Sequence, residues 1–119
     1  MIKGIGIDAV ELRRMEEIIA NKPRFATKVL TEKELEQYNK LSSHRQVEYL
    51  AGRFACKEAF AKAWGTGIGK VAIQEIEVLS NELGAPVVTQ SPHQGKTFVT
   101  ITHTDTVAIA QILLEEEGN

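Results

Sequence analysis

Two charged residues one helical turn apart, Glu58 and Lys62, interrupt a segment that is otherwise mostly apolar and rich in alanine. The segment predicts a long, largely buried helix over Ser43–Trp64, which ends where Gly65 can adopt a left-handed conformation. Charged groups on such a helix are costly unless they pair or bind something. Two interpretations stay open: an i, i+4 salt bridge, which contributes about 0.3 kcal/mol on an exposed face, or part of a binding site.

A second carboxylate, Asp8, follows alternating glycine and isoleucine residues that predict a strand from Ile2 to Asp8. If this strand packs against the helix, Asp8 and Glu58 can lie side by side. Magnesium typically takes one or two protein carboxylates and completes its shell with water and phosphate oxygens. Positive charge for a phosphate-bearing substrate could come from four cations, namely Arg53, Lys57, Lys62 and Lys70. These residue types are compatible with phosphoryl-type transfer, although their spacing alone does not establish it.

The elements that must position these residues begin with helices in the first half of the chain. Apolar residues recur at helical spacing from residue 11 to about residue 21. Capping boxes are indicated by Thr31 with Glu34 and by Ser43 with Gln46, so two further helices are expected to begin there. The second of these is the long central helix.

The second half of the chain predicts strands, since apolar and polar residues alternate over residues 73–79, 86–89, 97–102 and 107–114. Residues 81–84 and 104–106 have the composition of turns. We therefore expect an α+β fold, in which an N-terminal strand and helices precede a mainly antiparallel sheet packed on the long central helix. No repeat or linker divides the sequence, which predicts a single domain over residues 1–119.

Composition limits the function classes. The 119 residues carry a formal net charge of -2, which gives no general affinity for nucleic acid. No apolar stretch approaches the roughly 18 residues of a membrane span, and no export signal is recognisable, so a cytoplasmic location without membrane association is expected. The single cysteine, Cys56, cannot form an internal disulfide and is expected to be a buried, inert thiol.

Three segments, residues 4–8 (GIGID), 54–67 (FACKEAFAKAWGTG) and 100–104 (TITHT), resemble the signatures of the holo-[acyl-carrier-protein] synthase family of 4'-phosphopantetheinyl transferases. They occur in the family's order, and the resemblance covers nearly the whole chain. The part around Lys57 and Glu58 is the most specific. Thr100 and Thr102 stand where the family usually has serine, and Cys56 stands where alanine is common; threonine keeps the hydroxyl group.

The resemblance implies a 4'-phosphopantetheinyl transferase-like fold and an enzyme of fatty acid biosynthesis. Such an enzyme moves the 4'-phosphopantetheine group of coenzyme A to a serine of apo acyl carrier protein and releases adenosine 3',5'-bisphosphate. Magnesium would be held by Asp8 and Glu58, and Lys62 would neutralise charge on the pyrophosphate in the transition state. The general base stays open between Glu58 and a metal-bound water, and a water polarised by magnesium and held by Glu58 is favoured.

The resemblance also assigns residues to the two substrates. Contacts to the nucleotide half of coenzyme A are expected from Arg53, Lys62, Gly65, Thr66 and His103. Docking of the acidic carrier protein is expected at a local excess of positive charge, through Arg13, Arg14 and Arg24. Family members of this length are typically homotrimers with active sites between subunits. The alternative is a non-catalytic adaptor with a structural Glu58–Lys62 pair, which would show no dependence on magnesium.

Overall fold

The first strand is longer than the alternation of its residues predicts. In the computed structural model, which describes residues 1–67 and 71–118, strand β1 spans Ile2–Glu11 and pairs antiparallel with β5, Val107–Glu115. The prediction that the strand ends at Asp8 is wrong, because β5 continues to supply backbone hydrogen bonds as far as Glu11. Strand β4, Thr97–His103, lies on the other side of β5, so β1 and β4 are the two edges of this sheet.

Four helices connect β1 to the rest of the chain: α1 (Leu12–Asn21), α2 (Phe25–Val29), α3 (Glu32–Asn39) and α4 (Ser43–Trp64). The capping box at the start of α3 is confirmed, since the Glu34 backbone N–H donates to Thr31 Oγ1 and the Thr31 N–H donates to Glu34 Oε1. The second predicted box is wrong. Helix α4 is preceded by Ser42 as its N-cap, without a side-chain cap bond, and Gln46 Nε2 donates instead to the Tyr38 carbonyl.

Two strands, β2 (Glu77–Ser80) and β3 (Pro86–Gln90), form a separate antiparallel hairpin. Its predicted turn is confirmed: Asn81 Oδ1 accepts from two backbone N–H groups, and Gly84 has a φ of 83°. The strand predicted from residue 73 begins later, because Ile73–Glu75 forms a 3₁₀ turn closed by a local backbone bond. The turn between β4 and β5 is also confirmed, since the Thr104 N–H donates to the Val107 carbonyl.

Helix α4 packs against the inner face of the three-stranded sheet, as the sequence predicts. Two glycines of β1 make this contact close: a Cβ atom at Gly4 would lie 1.9 Å from the Ala63 carbonyl oxygen, and one at Gly6 would lie 2.0 Å from that of Ala59. Any larger residue would push the strand off the helix. This close approach brings Asp8, two residues further along β1, to the side of α4.

The outer face of the sheet carries an exposed apolar patch. Ile5, Leu113 and Phe98 lie side by side across β1, β5 and β4. Ile5 is 59% exposed, Ile7 56% and Phe98 50%. Exposed apolar side chains in one contiguous patch are typical of an interaction surface. Within residues 1–67 and 71–118, no helix is long and apolar enough to span a membrane.

Candidate active site

Asp8, Glu58 and Lys62 come together where β1 crosses the last turns of α4. Lys62 Nζ donates to Asp8 Oδ1 and to the Ile7 carbonyl, both at 3.0 Å. No Glu58–Lys62 salt bridge is found among the ion pairs of the described residues, so the interpretation of this motif as an i, i+4 pair is wrong. The lysine instead links the helix to the strand carboxylate.

Glu58 occupies a site that disfavours its charged form. Partial burial raises the pKa of its carboxyl group, and the negative charge of Asp8 raises it further, whereas Lys62 opposes the shift. Two crowded carboxylates with one ammonium group are partly neutralised, and a bound cation would complete the neutralisation.

The donor set at this position fits magnesium. Within the part of the chain that the structure describes, no cluster of three or more histidine, cysteine, aspartate or glutamate side chains is arranged to hold a metal. A closed structural zinc site needs four protein ligands, which this pair does not supply. Magnesium needs only one or two carboxylates and leaves its other positions to water and phosphate oxygens. Asp8 and Glu58 meet that requirement.

Lys57 does not belong to this cluster, although it is the neighbour of Glu58 in sequence. Its side chain is fully buried, and Nζ donates to Glu34 Oε1 at 2.6 Å and to the Val29 carbonyl at 2.7 Å. Burial lowers the pKa of Lys57, and the charge of Glu34 opposes that shift. The hypothesis that Lys57 contacts substrate phosphate is therefore wrong. Lys70, the fourth proposed cation, lies outside the described residues.

Arg53 and His103 line a second site, a cleft of about 610 Å³ between α4 and the β2–β3 hairpin. Arg53 is buried and held in place: Nε donates to the Val78 carbonyl at 3.0 Å, Nη2 donates to Ser80 Oγ at 2.9 Å, and the guanidinium lies over the Tyr49 ring. His103 ends β4 at the cleft and is about half exposed. The structure thus brings these two predicted nucleotide-binding residues together.

Gly65 and Thr66 lie elsewhere, beyond the C-terminus of α4. Gly65 has a φ of 84° and caps the helix through its N–H, as predicted, and Thr66 is exposed. Arg53 and Gly65 are twelve residues apart, which is about 18 Å along a helix. One chain therefore does not assemble the predicted nucleotide-binding residues into a single site.

The sequence did not reveal the contacts of Glu48. Its Oε2 lies 3.5 Å from His44 Nε2 and 3.6 Å from His103 Nδ1. The i, i+4 spacing of His44 and Glu48 on a predicted helix was an available signal. The contact with His103 joins residues far apart in sequence, and no local pattern could have indicated it.

The three arginines predicted to dock a carrier protein are all exposed. Arg13 and Arg14 lie on the first turn of α1, and Arg24 immediately precedes α2. Arg13 has one weak partner, Glu17, at 3.9 Å with both side chains largely in solvent. Their charges are therefore available to a partner.

Residues 4–112 match the family model described as the 4'-phosphopantetheinyl transferase superfamily. The holo-[acyl-carrier-protein] synthase of Enterococcus faecalis is 65% identical over 117 residues, which are 98% of this chain and 100% of that protein. The crystal structure of a holo-(acyl-carrier-protein) synthase from Bacillus anthracis in complex with CoA (3',5'-ADP) is 41% identical, with a TM-score of 0.91 over 98% of this chain and 99% of that one. The Helicobacter pylori holo-[acyl-carrier-protein] synthase in complex with coenzyme A is 28% identical, with a TM-score of 0.81 over 93% and 99% of the two chains.

Proposed function

The chain belongs to the 4'-phosphopantetheinyl transferase superfamily, as a holo-[acyl-carrier-protein] synthase, and on that premise we propose that it acts with magnesium and releases adenosine 3',5'-bisphosphate in fatty acid biosynthesis. The observation that carries the proposal is the cluster of Asp8, Glu58 and Lys62. The adaptor alternative required a structural Glu58–Lys62 pair, and the described residues form none. A cytoplasmic location and a single transferase domain over residues 1–119 belong to the same proposal.

In this reaction the carrier serine oxygen forms a bond to the β-phosphorus of coenzyme A, and the bond from that phosphorus to the bridging oxygen breaks. Asp8 and Glu58 would hold magnesium, which when bound supplies Lewis-acid stabilisation of the pyrophosphate charge. Lys62 would add a second positive charge beside the leaving group, and such fixed charge stabilises the transition state.

The serine must lose its proton as the new bond forms. Glu58 is our candidate to accept that proton or to hold the water that does so. Burial and the charge of Asp8 raise the pKa of this carboxyl group in the absence of a metal ion, and a bound magnesium ion would favour its charged form, which is the form that accepts a proton.

The nucleotide half of coenzyme A would lie in the cleft of Arg53 and His103. These residues are remote from Gly65 and Thr66 of the same chain, which supports a homotrimer with active sites at subunit interfaces. In such an assembly one subunit would supply the cleft, and its neighbour would supply Asp8, Glu58, Lys62 and the Gly65–Thr66 turn. The exposed apolar sheet face around Ile5 and Phe98 offers a surface for the association.

The carrier protein would bind at Arg13, Arg14 and Arg24. Acyl carrier proteins are acidic, so exposed arginines would attract them over distances comparable to the Debye length. Helix α1 begins directly after β1, the strand that bears Asp8. A carrier bound at α1 would therefore be close to the proposed metal site.

The direct test is intact-mass spectrometry of an apo acyl carrier protein incubated with this protein and coenzyme A, with magnesium or with a chelator. We expect the mass of one phosphopantetheine group to be added only with magnesium, and an equimolar amount of adenosine 3',5'-bisphosphate to be released. Glu58→Ala should remain folded and add no mass, whereas the exposed-surface variant Glu36→Gln should behave as wild type. Full activity of the Glu58 variant would contradict the metal assignment.

A further inference from the structure

The cleft beside Arg53 contains a carboxylate among cations. Of the described residues that line it, Lys40, Arg45, Arg53 and His103 carry or can acquire positive charge, and Glu48 is the only acidic one. A carboxylate in this position repels a phosphate-bearing ligand. Its effect on ligand binding therefore depends on what else it contacts.

Glu48 contacts the imidazole ring of His103 at Nδ1. Its Oε2 lies 3.6 Å from Nδ1, which is within ion-pair distance and slightly too long for a direct hydrogen bond. The other neighbour of Nδ1 is the Thr104 carbonyl oxygen at 3.4 Å. Both neighbours are acceptors, which suits a proton on Nδ1 and leaves Nε2 as the ring nitrogen that faces a ligand in the cleft.

We propose that Glu48 is a positioning residue for His103, which it holds through Nδ1 so that Nε2 donates a hydrogen bond to a phosphate group of coenzyme A. The inference rests on the proposed role of His103 at the nucleotide. A ring that donates from both nitrogens is an imidazolium, and the Glu48 carboxylate balances its charge. Positioning therefore gives the carboxylate a net favourable effect on binding despite its repulsion of phosphate.

Two matched controls separate positioning from simple charge. His44 Nε2 lies 3.5 Å from the same Glu48 oxygen on a largely exposed side chain, so His44→Gln removes a neighbour of Glu48 without touching His103. Glu82 lies in the hairpin turn whose residues Asn81 and Gly84 line the cleft. Glu82→Gln removes one negative charge from this turn and affects no described contact of His103.

The test is the dissociation constant of coenzyme A, measured by calorimetry for wild type, Glu48→Gln, His103→Gln and the double variant. Loss of repulsion alone would make Glu48→Gln bind more tightly. Positioning predicts binding that is weaker by about five- to tenfold, with kcat at saturating coenzyme A and KM for the carrier protein unchanged. In the His103→Gln background the same change should alter binding less than about twofold, because the ring it positions is gone.

Tighter or unchanged binding of coenzyme A by Glu48→Gln would overturn the proposal. So would an equal loss of affinity from this change in the wild-type and His103→Gln backgrounds, or an equal loss of affinity in Glu82→Gln. Glu48→Asp, which keeps the carboxylate, should bind with intermediate affinity, and it serves as the test variant if the glutamine variant does not fold. If His103→Gln binds coenzyme A like wild type, the positioning role is overturned. The mass shift of the carrier protein reports independently on the proposed reaction.

Discussion

Lys62 Nζ lies 3.0 Å from Asp8 Oδ1, so the lysine of the α4 motif pairs with the strand carboxylate and not with Glu58 one turn before it. This hydrogen bond joins helix α4 to strand β1 within the cluster. It also means that the positive charge proposed to act on the pyrophosphate is held in place before any substrate binds, and pre-positioned charge needs little reorganisation during the reaction.

Replacing Lys62 with methionine should therefore affect catalysis far more than stability. We expect kcat to fall by about 100-fold or more, as is common when a transition-state donor is lost. Because the lysine side chain is 54% exposed, its ion pair should contribute less than about 1 kcal/mol to the free energy of unfolding. Steady-state kinetics and urea unfolding test both parts. Lys96→Met, at an exposed site, is the control, and a Lys62→Met kcat within threefold of wild type would contradict the role.

Lys57 should show the opposite behaviour. Its pair with Glu34 is fully buried, and Glu34 also accepts from the backbone N–H groups of Thr31 and Val78, so one carboxylate connects α3, α4 and β2. Lys57→Met leaves that carboxylate buried without its cation and should lower the free energy of unfolding by about 3–5 kcal/mol. The double variant Lys57→Met/Glu34→Gln should recover part of the loss. A loss below 1 kcal/mol in the single variant, measured by urea unfolding, would be inconsistent with this role.

These two lysines show which features of the fold and the site can be predicted from the sequence alone. Local signals are sufficient for the capping box at Thr31 and the left-handed Gly65, because each depends on neighbours within a few residues. They also predict every helix and strand in order except the short helix α2, which was not predicted from the sequence. The same signals treated Lys57 and Lys62 as equivalent cations. Their difference comes from Glu34 and Asp8, which are distant in sequence and meet them only after the helices and the sheet have packed.

The prediction that β1 ends at Asp8 is wrong for a related reason. Alternation predicted that β1 ends there, but the strand continues because β5 pairs with it to Glu11. Likewise, the resemblance indicated Arg53, Gly65, Thr66 and His103 as one group, whereas the fold of one chain distributes them between two places. A resemblance carries residue identities, and it does not specify where the fold places each of them.

Charge reversal of the docking arginines should weaken the binding of the carrier protein without affecting the chemical step. Arg14→Glu and Arg24→Glu are each expected to raise KM for apo acyl carrier protein by about tenfold at low salt, with kcat nearly unchanged, and the effect should shrink as salt is added. Lys96→Glu makes the same charge change just before β4, at the end of the sheet away from α1. If this control raises KM equally, net charge and not a docking surface explains the effect.

The apolar sheet face should be required for assembly. Ile5→Glu or Phe98→Glu places a charge in the patch, which would be desolvated in a subunit interface. We expect sedimentation to give a trimer for wild type and a monomer for either variant, with loss of transfer activity because the two halves of the site separate. Leu83→Glu, at an apolar side chain 93% exposed in the hairpin turn, should stay trimeric. A monomeric, active wild type would overturn the proposed assembly.

The thiol of Cys56 should make the fold sensitive to alkaline pH. The side chain is fully buried, and burial raises the pKa of Cys56 from 9.0 to about 12. The unfolded chain ionises this thiol near pH 9.0, so between the two pKa values the folded protein binds more protons than the unfolded one. The free energy of unfolding must then fall as pH rises through this window.

Cys56→Ala removes this contribution. Between pH 8 and pH 10.5 the free energy of unfolding should fall by about 2 kcal/mol more in the wild type than in the variant. Each pH unit above the pKa of the unfolded thiol lowers it by about 1.4 kcal/mol. Urea unfolding at both pH values measures the difference. Burial also raises the pKa of Tyr49 to about 12, but Tyr49 is present in both proteins, so its effect cancels in the comparison. Equal losses in the two proteins would show that the thiol already ionises in the folded state at its ordinary pKa.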